Sequence, residues 1–557
     1  MTNIVICQIN SKYIHSSLAA WYILAGVREY SVSDINASVV EGTVNEKCTA
    51  VSDRIIAKAP EIVGFSSYIW NIDTVKAVAN EVRLALPGVK IIFGGPEVSF
   101  SYSALLCEGT CDYVVCGEGE KSFARLCDAI ISGDDPAKIS GVALLHDGKV
   151  ISNPPEELGE PPSPYLPEYF DTLNGRIAYL ETSRGCPFSC AFCLSGHESK
   201  VVFFDEERAK SDLVRLANSG TSTIKLVDRT FNADRKRACH IWDFISENYG
   251  DLIPAGVRIH FEISSALLND EAYASISRLP RGAAQFEVGI QSFNTKTLAA
   301  IGRDTDIDRT VRNTKRLIEL GNVHVHTDLI AGLPFEDYKS FGESFDKAFA
   351  LGAHMLQLGF LKVLSGSPMG DVTYPYKCEY SKSAPYEVIK TEWISENELD
   401  RIRKIEDLHE RIYNSGRFRR TFDFALDATK MTPFDLYERL ADTVVYAPGC
   451  SLDEFTLALL TALGALGVSD TRALYDIAVI DRITTNNEGR VPEFLKGDKS
   501  MTARLKRHLE ETEPTLFDKG IKSAIFYLES QSRGVYVRYD TPPDPITGEY
   551  EGIFVGI

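Results

Sequence analysis

Along the first 135 residues the apolar positions fall in short β-branched runs separated by longer segments of helical spacing. Residues 4–10 (IVICQIN) form one such run, and 18–30 carry the period of an amphipathic helix. The same pattern predicts strands at 37–44, 61–68 (EIVGFSSY), 89–93 (VKIIF) and 112–116 (DYVVC), with helices at 72–86 and 121–132. Runs that are apolar throughout belong to strands buried on both faces, and their alternation with helices predicts a parallel, doubly wound α/β sheet. Such sheets hold ligands beyond the carboxyl ends of their strands. This chain places Ser66, Ser67, Tyr68, Gly94, Gly95, Pro96, Glu97, Gly117, Glu118 and Gly119 at those ends.

Residues 139–155 read as a hairpin turning at Asp147-Gly148, and the stretch from Pro154 to Pro167 reads as a linker. From 173 to about 370 the alternation resumes, with strands predicted at 177–180, 222–227, 258–263, 284–290, 323–330 and 355–360. Each ends in a polar or glycine-bearing tail, as at Asp228, at Gln291 and at Gly332-Leu333-Pro334. Past 370 helical patterns dominate, at 395–416, 433–446, 452–467 and 498–511, with a strand-like pair at 523–529 and 534–540. The expected organisation is therefore 1–135, a hairpin and linker over 136–172, a second α/β domain over 173–370, and a mainly helical domain over 371–557.

Composition narrows the setting. Hydrophobic residues make up 44% of the 557 and charged residues 25%, the balance of a globular protein. No apolar run reaches the roughly eighteen residues of a membrane span. The start, Met1-Thr2-Asn3-Ile4-Val5-Ile6-Cys7, reads as a strand without the basic flank of a signal peptide. With twelve cysteines, this points to free thiols in a reducing, cytoplasmic setting. The net charge of −19 argues against broad binding to nucleic acid or an anionic membrane. One basic run, Arg401, Arg403, Lys404, Arg411, Arg417, Arg419 and Arg420, is expected to form a solvated face salt-bridged with Glu406, Asp407 and Glu410. Nucleic-acid contact there is the minor reading.

The densest chemistry lies at Cys186-Pro187-Phe188-Ser189-Cys190-Ala191-Phe192-Cys193, three thiols inside eight residues. Three thiolates on one loop can hold three irons of a cubane cluster and leave the fourth open. A structural zinc would want four ligands, and the chain has no second Cys-x2-Cys pair. The spacing resembles the radical S-adenosylmethionine (SAM) signature, Cys-x3-Cys-x-aromatic-Cys, with Phe192 at the aromatic position. The resemblance implies a 4Fe–4S cluster, SAM chelated at the open iron and cleaved to a 5′-deoxyadenosyl radical, and a reducing partner of flavodoxin or ferredoxin type. It also implies a partial (β/α)6 barrel over 173–370. Asp228 would then help hold the SAM amino group, and Glu262, Glu287 and Gln291 would face ribose or carboxylate. Gly332, Leu333 and Pro334 would lie against adenine. For Glu262 and Glu287 an internal salt bridge is an equal reading.

The N-terminal residues resemble the cobalamin-binding domain fused before many such barrels. That family's motif is Asp-x-His-x-x-Gly after the first strand, then Ser-x-Leu, then Gly-Gly. Here Tyr13-Ile14-His15-Ser16-Ser17-Leu18 keeps the histidine without its Asp or Gly; Ser66-Ser67-Tyr68 keeps the serine; and Gly94-Gly95 is intact. The expectation is a Rossmann-like domain holding base-off cobalamin without a His15–cobalt bond. His15 would instead bond a phosphate or cap the following helix. A Rossmann-like domain without cofactor is the other reading. Residues beyond 370 resemble the uncharacterised domain of one subgroup of these proteins, and no motif there names a substrate, small or macromolecular.

The function implied is methylation of an unactivated carbon, or a phosphorus, using SAM, a 4Fe–4S cluster and cobalamin. The alternatives are radical rearrangement, cyclisation or reduction without methyl transfer, tRNA modification, and a non-catalytic sensor.

Overall fold

Among the described residues, fifteen strands in the N-terminal two-thirds position the chemistry, with helices between them. A computed structural model describes residues 1–157, 159–195, 200–303, 306–517 and 521–556. The chain divides into two units. The first comprises Met1–Ala284, Ile301–Asp304 and Leu361–Ile389; the second comprises Gln285–Ala300, Thr305–Phe360 and Lys390–Ile557.

The first unit opens with seven strands, β1 (Thr2–Asn10), β2 (Ile35–Thr43), β3 (Ile62–Ser66), β4 (Lys90–Gly94), β5 (Tyr113–Val115), β6 (Val142–His146) and β7 (Lys149–Ser152), in the order β2-β1-β3-β4-β5-β6-β7. The first five are parallel, with Val5 opposite Val63 and Val63 opposite Ile91. Helices α1 (Ala19–Tyr30), α2 (Cys48–Ile56), α3 (Ile72–Ala85), α4 (Tyr102–Cys107) and α5 (Gly119–Ser132) connect them. One face buries Val5, Val63, Ile91 and Val114 against Val75, Val78 and Val82 of α3, which is why the strands are apolar throughout.

Two features differ from the pattern reading. The hairpin at 139–155 is not a separate segment: β6 pairs antiparallel with β5, Val114 facing Ala143, and extends the sheet. Strand β5 would otherwise leave an unpaired edge, and β6 is buried at Val142 and Ala143. Helices α2 and α4 carry too few buried residues for their periodicity to stand out; α4 is six residues long.

After the linker the unit continues with β8 (Ala178–Leu180), then two short antiparallel strands, β9 (Ser183–Gly185) and β10 (Val201–Phe203). Strands β11 (Thr223–Leu226) and β12 (Arg258–Ile263) follow, β11 lying parallel between β8 and β12. The second unit holds the other three predicted barrel strands, β13 (Ala284–Gln291), β14 (His324–Ala331) and β15 (Met355–Phe360), β14 lying parallel between its neighbours. Burial along β13 alternates strictly, so Gln285, Glu287, Gly289 and Gln291 share its less buried face.

Helix Tyr338–Phe349, which follows β14, packs on the C-terminal helices: Phe345 meets Phe434, Tyr437 and His409. The single long helix predicted at 395–416 instead runs Glu396–His409 and continues as a π turn, Glu410–Asn414. Helices Arg419–Thr429 and Thr471–Thr485 escaped the pattern reading because buried polar groups interrupt them, Asp481 accepting from the Thr421 backbone and hydroxyl. The C-terminal strand pair is in fact three-stranded, with Gly552–Val555 on its edge.

Four of the seven residues of the basic run stand in ion pairs with carboxylates from several segments. Arg411 meets Asp407 as expected, whereas Arg401 pairs with Glu438 and Asp442, Arg403 with Asp400, and Arg420 with Asp481 and Glu549. Among the described residues no helix is long and apolar enough to cross a membrane.

Candidate functional site

Parallel strands with short turns leave a crevice at their carboxyl ends. In the first unit that crevice is a cavity of about 800 Å³. Its walls include nine of the residues singled out from the sequence: His15, Ser66, Tyr68, Gly94, Gly95, Pro96, Gly117, Glu118 and Gly119. Gly95 has φ +106°, and a Cβ there would stand 2.5 Å from the Ser67 carbonyl, so only glycine permits this turn. The 66–71 loop is held by Asn71, whose side chain donates to Ile9 O and Ser66 O and accepts from Tyr68 N.

Three predicted residues lie off the cavity. Ser67 is fully buried, with its N–H donating to Gly94 O. Glu97 accepts from the Tyr386 hydroxyl. Tyr13 is exposed and covers the Arg176 guanidinium. Tyr13 and Glu97 are committed to other side chains, whereas the Ser67 hydroxyl is buried without a hydrogen-bond partner among the described residues.

His15 has a different partner from the one its motif would supply. Its Nδ1 lies 2.7 Å from the Tyr179 hydroxyl of β8. Arg176 fixes the loop by donating to the Tyr13 and His15 carbonyls. Burial, aided by the charges of Lys12, Lys225 and Arg176, pushes the His15 pKa down, so the ring is neutral at pH 7. Helix α1 has Leu18 at its N-cap and no side-chain cap bond, so His15 does not cap it.

Among the described residues, the buried polar atoms on the cavity wall without a hydrogen-bond partner include Asn10 Nδ2, Ser66 Oγ and Glu120 Oε2. Leaving each unmatched costs about 1–3 kcal/mol. An apolar slot bearing an amide donor, hydroxyls and a carboxylate suits a large ligand rich in amides and hydroxyls, and cobalamin fits this description.

The same cavity is bounded by Glu181, Arg184, Leu194 and Arg229, residues flanking the cysteine loop and β11. Arg184 joins the loop to the cavity wall. It pairs with Glu120 at 2.7 Å, Glu181 at 3.1 Å and Glu118 at 3.4 Å, and lies over the Tyr22 ring. Gly185 follows with φ +90°, where a Cβ would collide with Lys200 O.

Beneath the loop, Asp228 accepts from Thr182 N at 2.8 Å, Thr182 Oγ1 at 2.7 Å and Ser183 Oγ at 2.5 Å. It is 1% exposed, and burial lifts its pKa to about 6. Both oxygens are engaged, so Asp228 braces the loop instead of presenting a free carboxylate to SAM. Arg237 adds contacts to Thr182 Oγ1 and Thr182 O.

The three thiols are unbonded to one another. Cys186 Sγ lies 3.3 Å from Thr230 Oγ1, Cys193 Sγ accepts from Ser195 N at 3.4 Å, and Cys190 Sγ accepts from Arg303 at 3.7 Å. Burial raises the Cys190 pKa, opposed by Arg303; Cys186 and Cys193 are near enough to couple to it electrostatically. Three coupled thiols with donors aimed at sulfur fit an iron–sulfur cluster. Phe192 is half-buried in the turn between the last two.

Glu262 lies 3.7 Å from the Arg229 guanidinium. In the second unit, Glu287 lies 3.9 Å from His326 Nδ1, and His326 Nε2 lies 2.9 Å from Asp328. Gln291 sits at a bulge with φ +73°, and Gly332, Leu333 and Pro334 form a buried turn ending at Phe335, φ +63°. Sequence reasoning missed Asn10, Glu120, Tyr179 and Arg184, none of which falls in a recognisable spacing.

Comparison with known proteins gives three family matches: "B12 binding domain" over 4–127, "Radical SAM superfamily" over 180–348, and "Protein of unknown function (DUF4080)" over 374–522. The chain is 28% identical over 338 residues to 2-(S-pantetheinyl)-carbapenam-3-carboxylate methyltransferase of Streptantibioticus cattleyicolor, covering 57% of this chain and 48% of that protein. It is 28% identical over 331 residues to the cobalamin-dependent radical SAM methyltransferase TokK of Streptomyces tokunonensis, covering 56% and 48%. The chain thus spans about half the length of these curated relatives. Among solved structures, the cobalamin-dependent SAM radical enzyme OxsB with aqua-cobalamin and SAM bound superposes with a TM-score of 0.59 at 12% identity, covering 93% of this chain and 81% of that one. The likeness establishes the fold.

Proposed function

We propose that this chain, which joins a B12-binding domain and a radical SAM domain to a C-terminal domain of unknown function, is a cobalamin-dependent radical SAM methyltransferase. One observation carries the reading: the cavity at the strand ends, with Asn10, Ser66 and Glu120 unmatched, is walled by residues flanking the cysteine loop. When bound, the 4Fe–4S cluster supplies the electron that cleaves SAM, and cobalamin carries the methyl group.

The protein's own residues do the holding. Cys186, Cys190 and Cys193 supply the thiolates, and Asp228 fixes Thr182 and Ser183 so that the loop leaves β8 in one conformation. Arg184 neutralises part of the charge of Glu118, Glu120 and Glu181 between loop and cavity. His15, neutral and bonded to Tyr179, lines the wall as a hydrogen-bonding group rather than a cobalt ligand. Gln291 and the Gly332–Pro334 turn are assigned to SAM, on the resemblance of this segment to the family's. Twelve cysteines without a disulfide suit a reducing, cytoplasmic setting, and a flavodoxin or ferredoxin is the assigned donor. The substrate is assigned no class, and nucleic acid is the lesser candidate because Arg401, Arg403, Arg411 and Arg420 of the basic run stand in ion pairs.

Product counting tests the reading. With a methyl-accepting substrate, methyl transfer yields S-adenosylhomocysteine beside 5′-deoxyadenosine. Rearrangement, cyclisation or reduction yields no S-adenosylhomocysteine and would replace the proposal.

A further inference from the structure

In the second unit a buried carboxyl lies beneath two loops that the function above assigns to SAM. Glu336 is 1% exposed. Its Oε1 accepts from Ser292 Oγ at 2.6 Å and Ser344 Oγ at 2.8 Å, while its Oε2 is buried without a partner. The Ser292 oxygen in turn accepts from Asn294 N at 2.9 Å, and Asn294 Nδ2 donates to Phe335 O at 2.8 Å. The segment after β13 and the turn after β14 are thereby tied together through one carboxyl.

Both tied segments carry backbone in the left-handed region at non-glycine residues, Gln291 at φ +73° and Phe335 at φ +63°. Such conformations cost of order 1–3 kcal/mol each and persist where the surroundings enforce them. Ser292 and Glu336, joined by a hydrogen bond, each stand one residue from one of them.

We propose that Glu336 is a positioning residue, which in its uncharged form pins the Gln291–Asn294 segment to the Gly332–Phe335 turn and so shapes the SAM-binding surface. The inference rests on the radical SAM reading above. Burial supports it by lifting the Glu336 pKa to about 7, helped by the adjacent Asp337, against the two serine hydroxyls. Ser292 after β13, Ser344 of the helix packed behind it and Asp337 of its own segment are the polar and charged groups around the carboxyl. Loss of the proton leaves a charge whose second oxygen faces no donor, and displacing the turn toward water relieves it.

The sign follows. The neutral form is competent, so SAM affinity falls as pH rises through about 7. If only that form binds, affinity at pH 8 is about tenfold lower than at pH 6. Anaerobic equilibrium binding of SAM to the cluster-reconstituted full chain, from pH 6 to 8.5, tests this with two variants. Glu336→Gln is uncharged throughout and should bind with a flat profile. Ser292→Ala removes one of the two ties and with it a bond that favours the carboxylate, so its SAM affinity should be lower at pH 6 and its profile should shift to higher pH; this variant keeps the test alive should Glu336→Gln not fold. SAM binding with the same pH slope in wild type and Glu336→Gln overturns the inference alone. Absence of SAM binding at every pH overturns the radical SAM reading and the inference with it.

Discussion

Replacing Asp228 by alanine removes the acceptor for three donors at the root of the cysteine loop. The two hydroxyls can turn elsewhere, but the Thr182 N–H is fixed by the backbone. Arg237, buried beside it, also loses the negative charge that most favours its charged form. Removing one partner of a buried charged network costs about 3–5 kcal/mol. In a unit of this size that lowers the unfolding midpoint by on the order of ten degrees. Asp228→Asn keeps the shape and one acceptor, so its cost should be roughly half as large. Because Thr182 and Ser183 lead into Arg184 and Cys186, iron occupancy after anaerobic reconstitution should fall in the same order: wild type, Asn, Ala. Thermal unfolding and iron analysis of the three proteins measure this. A stable Asp228→Ala protein with full iron content that fails only to bind SAM would refute the bracing role and return Asp228 to the ligand role its position first implied.

Gly95→Ala forces a side chain into the left-handed region against Ser67 O, a cost of about 2–3 kcal/mol. The purified variant should retain little cobalamin; wild-type cobalt content would contradict the placement of the ligand. In the cob(II)alamin form, electron paramagnetic resonance should show no nitrogen splitting that depends on His15. Splitting lost in His15→Ala would show that the ring leaves Tyr179 to bind cobalt. A chain ending at 370 removes Phe434 and Tyr437 from Phe345 and should not fold cooperatively, whereas a well-folded truncation would mean that β13–β15 stand without the C-terminal helices.

Most strands were legible because parallel sheets bury both faces, and IVICQIN or VKIIF can hardly be anything else in a chain of 25% charged residues. The cysteine loop was legible because its spacing has few other uses. What escaped the sequence depended on long-range partners. Nothing near His15 announces Tyr179, 164 positions away. Glu120 looks like an ordinary exposed first-turn glutamate until Arg184 is folded onto it, and Asp228 looks like a free strand-end carboxylate until Thr182 and Ser183 cover it. Helix Thr471–Thr485 was hidden because Asp476 and Asp481 occupy its buried face, matched by Ser530 and Thr421 from elsewhere.

The central claim is that Cys186, Cys190 and Cys193 hold a cluster whose open iron takes SAM. Electron paramagnetic resonance of the anaerobically reconstituted, reduced protein tests it most directly. The account predicts a 4Fe–4S signal that shifts when SAM is added and is absent from the triple Cys→Ala variant. A signal that survives in that variant, or that SAM leaves unchanged, would contradict it.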